Sequence, residues 1–313
     1  MKAMVITANG GPEVFAQRDL PIPEAGPNQL LVRVMAAGVN PLDYKLRRTG
    51  AFGYGPGSVL GFDAAGVVEK VGPGVTGFKP MDEVFYSPDV TGPGSYAQYH
   101  LTAADIVVKK PQNLTFIEAA AIPLAGMTAW QAMIDRCHMQ LGQRVLIHGA
   151  SGGVGSMAVQ LAHTAGAYVY ATASPANMGL VRGLGADYII DRTQRDFAAE
   201  ITKETDGEGV DLVFDCVGLD LVARSIPIVR SMGNIVTIVN PSGDLSLGYR
   251  KNISLHYAFM LRKRQTLEQI AELVEHGKVK PVIGKVMKLE QVAEAHKQLE
   301  QGGGFGKIVL TTA

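Results

Sequence analysis

The segment VLIHGASGGVGSMAVQLA, residues 145–162, constrains the fold of this chain more than any other stretch. It begins with an uninterrupted apolar run typical of a buried strand and ends with the apolar spacing of a helix. Three small residues, Ala150, Gly152 and Gly155, stand at or near the turn between them. A second apolar run, AYVYATAS, follows within the span of one βαβ unit. The pattern predicts strand, tight glycine turn and helix at the start of a parallel sheet.

Apolar strands continue to alternate with helical segments beyond this unit. The strand candidates in residues 144–240 are RVLIHGA, YVYATA, YII, VDLVFDCVG and GNIVTIVN. Strands and helices that alternate at this spacing predict an α/β fold class, in which a doubly wound parallel sheet is covered by helices on both faces.

The first 120 residues differ in composition and in hydrophobic pattern. They are rich in Gly and Pro and contain short alternating runs such as KAMVIT, QLLVRVMAAGV and DAAGVVEKVG. Many short strands at close spacing predict a small barrel or a curled sheet. After residue 265, amphipathic helices alternate with short strands up to the final GKIVLTT. The composition shift near residue 123 is therefore the predicted boundary between two domains.

Composition limits the classes of partner. The chain has 313 residues, of which 29 are basic and 29 acidic, and no block of Lys and Arg marks a surface for nucleic acid or anionic lipid. The amino terminus, MKAMVITANGG, alternates like a strand and has no signal-peptide core, so a cytoplasmic location is expected. The only two cysteines, Cys137 and Cys216, are too few for a disulfide framework. Small neutral molecules are the expected partners, without nucleic acid or membrane.

The glycine turn has the form of a dinucleotide fingerprint. Gly152 would let backbone N–H groups approach a pyrophosphate at the helix N-terminus, and Gly155 would let that helix lie close to the sheet. The flanking strand and helix favour this interpretation over a purely structural turn. The predicted contacts in the turn are Ala150, Ser151, Gly152, Gly153 and Val154.

The end of the second strand indicates which dinucleotide is bound. A site that prefers NAD places Asp or Glu there to hold the ribose hydroxyls, whereas this chain has Ser174. Asn177 can donate hydrogen bonds, and Arg192 follows the third strand with a positive charge. These residues favour a 2′-phosphate and hence NADPH. The alternative for Arg192 is a solvated surface arginine.

The hexapeptide NPLDYK, residues 40–45, follows a strand-like run and allows two interpretations. Asn40 is a good N-cap, Pro41 suits the first helical position, and Asp43 complements the dipole of the first turn, so the segment can be simply the start of a helix. It can also carry chemistry. These residues alone do not separate the two interpretations.

With the fingerprint, the Gly-rich amino-terminal half and AAGVNPLDYK, the whole sequence resembles the medium-chain dehydrogenases/reductases. Within them it is most similar to the zinc-free quinone oxidoreductases, especially the branch of enone (alkenal and ketoenone) reductases with the motif N-P-x-D-x-K. The resemblance implies a GroES-like β-barrel catalytic domain, residues 1–123 and 266–313, and a Rossmann NADP(H)-binding domain, residues 124–265. It also implies a homodimer.

The resemblance further implies chemistry without zinc. Zinc alcohol dehydrogenases of the superfamily have Cys where this chain has Asn40, and Gly-His-Glu where it has GFD, residues 61–63, so no metal ligands are expected. Another group must then polarise the carbonyl. In the enone reductases the equivalent Asn and Lys lie beside the nicotinamide, which implies Asn40 and Lys45 as donors. Tyr54 would line the substrate mouth, or else cover a loop.

Further cofactor contacts follow from the resemblance. Thr128 is expected near the nicotinamide ribose, with an ordinary helix cap as the alternative. Ile238 and Val239 are expected to contact the carboxamide through their backbone, and Lys307 and Val217 are also assigned to the cofactor site.

The predicted function is therefore NADPH-dependent, zinc-independent hydride transfer to a conjugated carbonyl, as in a quinone reductase or an enone reductase. The alternative is an NADPH-binding protein without turnover, with a crystallin-like, regulatory or RNA-binding role. The sequence leaves open whether the acceptor is a quinone, an alkenal or a cyclic enone.

Overall fold

The structure is a computed structural model that describes residues 1–312. The strands of this part are β1 (Lys2–Ile6), β2 (Phe15–Asp19), β3 (Gln29–Val39), β4 (Ala64–Val71), β5 (Glu83–Tyr86), β6 (Tyr99–Ala103), β7 (Val108–Lys109), β8 (Arg144–His148), β9 (Tyr168–Ala173), β10 (Tyr188–Asp191), β11 (Val210–Asp215), β12 (Val229–Thr237), β13 (Ser254–Tyr257), β14 (Ile283–Lys288) and β15 (Lys307–Thr311). The α-helices are α1 (Pro41–Thr49), α2 (Phe116–Ala119), α3 (Pro123–Trp130), α4 (Gly153–Thr164), α5 (Met178–Gly183), α6 (Phe197–Glu204), α7 (Leu221–Ser225), α8 (Arg264–Glu275) and α9 (Val292–Gln301). None of these helices is long and apolar enough to cross a membrane.

The chain divides into two compact units. The first, here called the mixed-sheet unit, comprises Met1–Leu124, Arg262–Gly277 and the described chain from Pro281 onward. The second, the parallel-sheet unit, comprises Ala125–Leu261 and Lys278–Lys280.

The mixed-sheet unit contains a seven-stranded sheet that joins both ends of the sequence. Its order is β14-β15-β3-β4-β5-β7, with β6 also paired to β3, and β1 and β2 form a separate hairpin. β15 runs antiparallel to β3, with Ile308 opposite Val39. Continuing that register by one residue brings Lys307 opposite Asn40, at the point where β3 ends and α1 begins.

The core of this unit lies between the sheet and the helices α1 and α9. Leu46 of α1 and Val292 and Ala295 of α9 are buried in one apolar cluster with side chains of β1, β3 and β15. α1 therefore buries one face, while its other face, which carries Lys45, is exposed.

The parallel-sheet unit contains the doubly wound sheet that its sequence pattern predicts. Its six strands have the order β10-β9-β8-β11-β12-β13, and every neighbouring pair is parallel. The turn from β8 to α4 depends on glycine, because a Cβ on Gly155 would lie 2.2 Å from the carbonyl oxygen of Gly149. Gly155 thus allows α4 to pack closely on β8, as the fingerprint predicts.

Candidate active site

The N-terminus of α4 is open to an anion. Its N-cap, Gly152, makes no side-chain capping bond, and the first turn carries no acidic residue. A Cβ on Gly152 would meet only the oxygen of Gly149, at 3.4 Å, so the space in front of the turn is clear. The N–H groups of the first helical turn lack acceptors within the helix, and the helix dipole favours negative charge there. The residues present therefore fit the pyrophosphate of a dinucleotide.

The turn uses some of its own donors. The N–H of Ala150 donates to Thr172 O at 3.3 Å, and that of Gly152 donates to Gly149 O at 3.0 Å. Gly153 and Val154 begin the helix, so their N–H groups are the donors left for a phosphate.

Three of the predicted cofactor residues come together at the carboxyl end of β9. Ser174 follows the strand directly, and Asn177 Nδ2 donates to Ser151 Oγ in the glycine turn at 3.2 Å. The backbone N–H of Arg192 donates to Ala173 O at 3.0 Å, which holds Arg192 beside Ser174. The Arg192 side chain is exposed and forms no ion pair within the described chain. The sheet edge therefore presents a hydroxyl, an amide and a free guanidinium.

A buried carboxylate organises the loops after β11 and β12. Asp215 accepts hydrogen bonds from the N–H of Val217 and from Thr237 Oγ1, each at 2.9 Å. The N–H of Ile238 donates to Asp215 O at 3.3 Å, and that of Val239 donates to Thr237 Oγ1 at 3.2 Å. These N–H groups are occupied, so a carboxamide contact from Ile238 or Val239 would use other backbone atoms. Thr128, another predicted cofactor residue of the parallel-sheet unit, is buried on α3.

In the mixed-sheet unit, Asn40, Asp63 and Lys307 form a buried cluster. Lys307 Nζ lies 2.8 Å from Asp63 Oδ2 and also donates to Asn40 Oδ1. Asn40 Nδ2 donates to Asp63 Oδ2 at 2.8 Å, and the N–H of Leu124 donates to Asp63 Oδ1 at 2.7 Å. The side chains of Lys307 and Asp63 are 5% and 0% exposed, so the ion pair is shielded from water. Each buried charge here is paired and hydrogen-bonded, as burial requires.

This cluster changes the description of two predicted residues. Asn40 is the first residue before α1, as expected, but its amide binds Asp63 and Lys307. Lys307 has one remaining proton after these two contacts, since an ammonium has three donors. The sequence interpretation missed Asp63 as the partner of both. The only signal was that GFD, like the Gly-His-Glu of the zinc enzymes, ends in an acidic residue.

A second buried network begins at Asp43, on the inner face of α1. Asp43 Oδ2 accepts from the N–H of Asn40 at 2.7 Å and from Tyr96 OH at 2.5 Å, while Oδ1 has no partner among the described residues. Burial raises the pKa of Asp43 to about 7. Tyr96 OH also lies 3.3 Å from His296 Nε2. Nothing in the sequence pattern connected these three residues.

The network ends at a buried arginine. His296 Nδ1 lies 3.0 Å from Arg47 Nη1 and must accept, because a guanidinium only donates. Burial, and to a lesser extent the Arg47 charge, lower the pKa of His296 to about 3. His296 is therefore neutral, while Arg47 donates from Nε to Gly10 O at 3.0 Å and pairs through Nη2 with Glu300.

Lys45 and Tyr54 differ in their exposure to water. The Lys45 ammonium is on the exposed face of α1 and makes no hydrogen bond or ion pair within the described chain. Tyr54 is buried, its OH donates to Gly92 O at 2.5 Å, and its ring meets the edge of Phe62 at a centroid distance of 5.8 Å. Tyr54 also lines a cavity of about 460 Å³ together with Phe52 and other residues.

The positions that would hold zinc in alcohol dehydrogenases carry no matching donors. Phe62 has no ligand atom, and both amide atoms of Asn40 bind neighbouring charged groups. Across residues 1–312 no three His, Cys, Asp or Glu side chains are grouped so that they could hold a metal ion.

Comparisons with known proteins agree with this architecture. Residues 26–112 match the alcohol dehydrogenase GroES-like domain, and residues 184–310 match the zinc-binding dehydrogenase domain. The chain is 34% identical to the quinone oxidoreductase of Pongo abelii, over 99% of this chain and 97% of that protein. It is also 34% identical to the 2-methylene-furan-3-one reductase of Solanum lycopersicum, over 99% of this chain and 79% of that protein.

A solved structure gives the same result. The crystal structure of an NAD-dependent alcohol dehydrogenase superposes with a TM-score of 0.94 at 36% identity, covering 100% of both chains. The sheet topology, the glycine turn and full-length similarity to enzymes of one family lead to one conclusion. The chain belongs to the quinone oxidoreductase family of the medium-chain dehydrogenases/reductases, with a GroES-like domain and a Rossmann-like domain, and is an NAD(P)H-dependent oxidoreductase.

Proposed function

We propose that this protein uses NADPH to reduce a conjugated carbonyl compound, a quinone or an α,β-unsaturated aldehyde or ketone, without zinc. The observation that carries the proposal is the Asn40–Asp63–Lys307 cluster. In this cluster the amide of Asn40, the residue that corresponds by resemblance to a Cys ligand of the zinc enzymes, binds the ion pair of Asp63 and Lys307. The names of two similar proteins, a quinone oxidoreductase and a 2-methylene-furan-3-one reductase, describe acceptors with a carbonyl conjugated to a double bond.

The dinucleotide, when bound, supplies the hydride. The chain's own contribution begins at α4, whose uncapped N-terminus would hold the pyrophosphate. Lys45, which has an unpaired ammonium on α1, would donate to the acceptor oxygen, with Asn40 beside it at the start of the same helix. Tyr54 would form part of the wall of the acceptor pocket. A donor held in place before the reaction stabilises the negative charge that develops on that oxygen.

A matched pair of acceptors tests this proposal. Cyclohex-2-enone should be reduced and its saturated analogue cyclohexanone should not, because only the former can delocalise charge after hydride addition. A quinone and an alkenal complete the panel. Activity should survive exhaustive chelation, since neither Asn40 nor Phe62 can act as the missing Cys or His ligand. A protein that binds NADPH and reduces none of these compounds, or that holds one zinc per chain, would contradict the proposal.

The residues around Ser174 lead to a prediction about the cofactor. NADPH should bind more tightly than NADH, because Arg192 offers a free guanidinium and no carboxylate stands at the end of β9. Ser174→Asp should weaken NADPH binding by about 1–3 kcal/mol, the size of a lost hydrogen bond to a charged group. Dissociation constants from calorimetry at one ionic strength measure both effects.

Ser174→Ala is the matched control, because it removes the hydroxyl without adding charge. Its effect on NADPH should be smaller than that of Ser174→Asp, and NADH binding should change little in Ser174→Ala. The similar solved structure is of an NAD-dependent alcohol dehydrogenase, so a preference for NADH is the alternative result of these binding measurements. Equal affinity for the two dinucleotides, or tighter binding of NADH, would show that Ser174 and Arg192 do not select the 2′-phosphate.

A further inference from the structure

Arg262 is a cation of the mixed-sheet unit with an unused buried donor. Its Nε donates to Pro88 O at 2.5 Å. Its Nη2 is buried and has no hydrogen-bond partner among the described residues, and no carboxylate of residues 1–312 lies within ion-pair distance of it. A buried donor without an acceptor is destabilising, so native structures rarely keep one without a reason.

Arg262 lies over the ring of Phe62. Its guanidinium carbon lies 5.9 Å from the centroid of Phe62, the residue that replaces the zinc-ligating His of alcohol dehydrogenases. The same ring contacts Tyr54. The charges of Asp89 and Asp63 both act on Arg262, but neither carboxylate forms an ion pair with it, and that of Asp63 is bound by Lys307 at 2.8 Å.

The other predicted donors of the mixed-sheet unit are hydrogen-bonded to neighbouring residues or exposed to water. Asn40 and Lys307 are bound to Asp63 and to each other. Lys45 lies on the exposed face of α1, whereas Nη2 of Arg262 is buried. Burial lowers the pKa of Arg262, yet a guanidinium keeps its charge at all ordinary pH values. Arg262 thus combines a permanent charge, low exposure of Nη2 and a free N–H.

We propose that Arg262 donates a hydrogen bond from Nη2 to the carbonyl oxygen of the acceptor and takes the electrophilic role that zinc has in the alcohol dehydrogenases. The inference rests on the proposed function and adds a second donor to Lys45. Hydride addition to the β-carbon of an enone forms a C–H bond and breaks the C=C π bond, whose electron pair moves through the conjugated system to the oxygen. The hydride and its two electrons come from the reduced nicotinamide, and water supplies the proton that completes the product. Arg262 stabilises the enolate oxygen and exchanges no proton.

Arg262→Met tests the proposal, because it keeps an apolar stem against Phe62 and removes every donor. With cyclohex-2-enone, kcat should fall roughly 10²- to 10³-fold, the range for deletion of one positioned donor, while the dissociation constant of NADPH stays within a factor of about two. Arg264→Met is the matched control. The Arg264 guanidinium lies 5.3 Å from the Phe78 ring in the same way, but it is paired with Glu268 at 2.7 Å. Its loss should change kcat by no more than about threefold.

A binding measurement gives a second result that does not depend on turnover. 4-Nitrophenol serves as a probe, because its phenolate resembles an enolate and absorbs light at a different wavelength from the phenol. Bound to the protein in the presence of NADP⁺, it should have a pKa about 1–3 units below its value in water, the effect of a nearby positive charge. Arg262→Met should abolish most of this lowering, and Arg264→Met should retain it.

The outcomes separate this inference from the proposed function. A wild-type protein that reduces no conjugated carbonyl would end the proposed function, while the 4-nitrophenol titration would still test Arg262 as an oxyanion donor. A folded Arg262→Met protein with the parental kcat, or with the parental pKa of bound 4-nitrophenol, would overturn the role of Arg262. If Arg262→Met does not fold, Arg262→Lys replaces it, since it keeps the stem and charge but lacks Nη2. That variant should lower kcat by at least about tenfold, the effect of about 1.4 kcal/mol, and an unchanged kcat would equally overturn the role.

Discussion

Lys307→Met is expected to lower the free energy of unfolding of the mixed-sheet unit by about 3–5 kcal/mol, which is the usual cost of removing one partner of a buried ion pair. The substitution leaves the Asp63 carboxylate at 0% exposure without its cation and deprives Asn40 Oδ1 of its donor. The methionine fills the space of the lysine stem but cannot neutralise the charge. Much of the loss is therefore the cost of a buried, uncompensated carboxylate.

The measurement must report on the right unit. The single tryptophan, Trp130, belongs to the parallel-sheet unit, so its fluorescence follows the other part of the chain. Hydrogen exchange of the amides of α1 and β15 in increasing urea reports directly on the unit that contains Lys307.

Two further variants show whether the effect comes from the buried charge. Adding Asp63→Asn to Lys307→Met removes both charges and should recover part of the lost stability, because no buried ion is then left unpaired. Lys285→Met is the control for an exposed lysine of the adjacent strand β14, whose Nζ binds Gln298 Oε1 at 2.9 Å. It should stay within about 0.5 kcal/mol of the parent. A Lys307→Met protein as stable as Lys285→Met would contradict the view that Lys307 neutralises Asp63.

Lys45→Met is expected to lower kcat for a conjugated carbonyl by roughly 10²- to 10³-fold and to leave NADPH binding largely intact. The reason is that a donor aimed at the developing oxyanion is worth more in the transition state than in the ground state, so its loss appears in kcat. Steady-state rates with cyclohex-2-enone and a separate NADPH titration measure the two quantities. The change keeps most of the side-chain stem and removes only the charge.

Arg48→Met provides the comparison, since Arg48 is another exposed cation of α1 and its side chain is 55% exposed. Its effect on kcat should stay within a factor of about two or three, because Arg48 is paired with Glu300 and has no role at the acceptor oxygen. Asn40→Ala would be a poor test, because its amide also holds Asp63 and Lys307. If Lys45→Met folds, binds NADPH and reduces its acceptor at the parental rate, residues 40–45 are only the start of a helix.

Local patterns in the sequence carried the prediction of the parallel sheet and of the glycine turn. A buried parallel strand must be apolar throughout, and a turn that brings a helix against it must contain glycine. Both requirements act within about 30 residues, the span of one βαβ unit. Residues 145–162 met them, and β8, the turn and α4 are the result. The start of α1 at Pro41 followed in the same way from Asn40 and Pro41.

The sequence also identified residues whose position depends on one strand end. Ser174 stands directly after β9, and parallel pairing with β10 brings Arg192 beside it. Because the carboxyl ends of parallel strands meet at one edge of the sheet, a strand assignment was enough to expect these side chains near each other. Their selection of the 2′-phosphate is still a prediction.

The sequence by itself determined the fold class, because that depends on short-range pattern, and its resemblance to known proteins indicated the family and the residues that stand where zinc enzymes have ligands. Only the tertiary structure decided which of those residues bind each other. Lys307 meets Asp63 and Asn40 across 244 and 267 residues of chain, through the register of β15 on β3. Tyr96 and His296, 200 residues apart, meet beside Asp43 because α9 packs on the same core as α1. Arg262 stands in a charged run without a motif, and its unused donor exists only because folding buries it beside Phe62. Burial and long-range register are properties of the packed chain, so no local pattern records them.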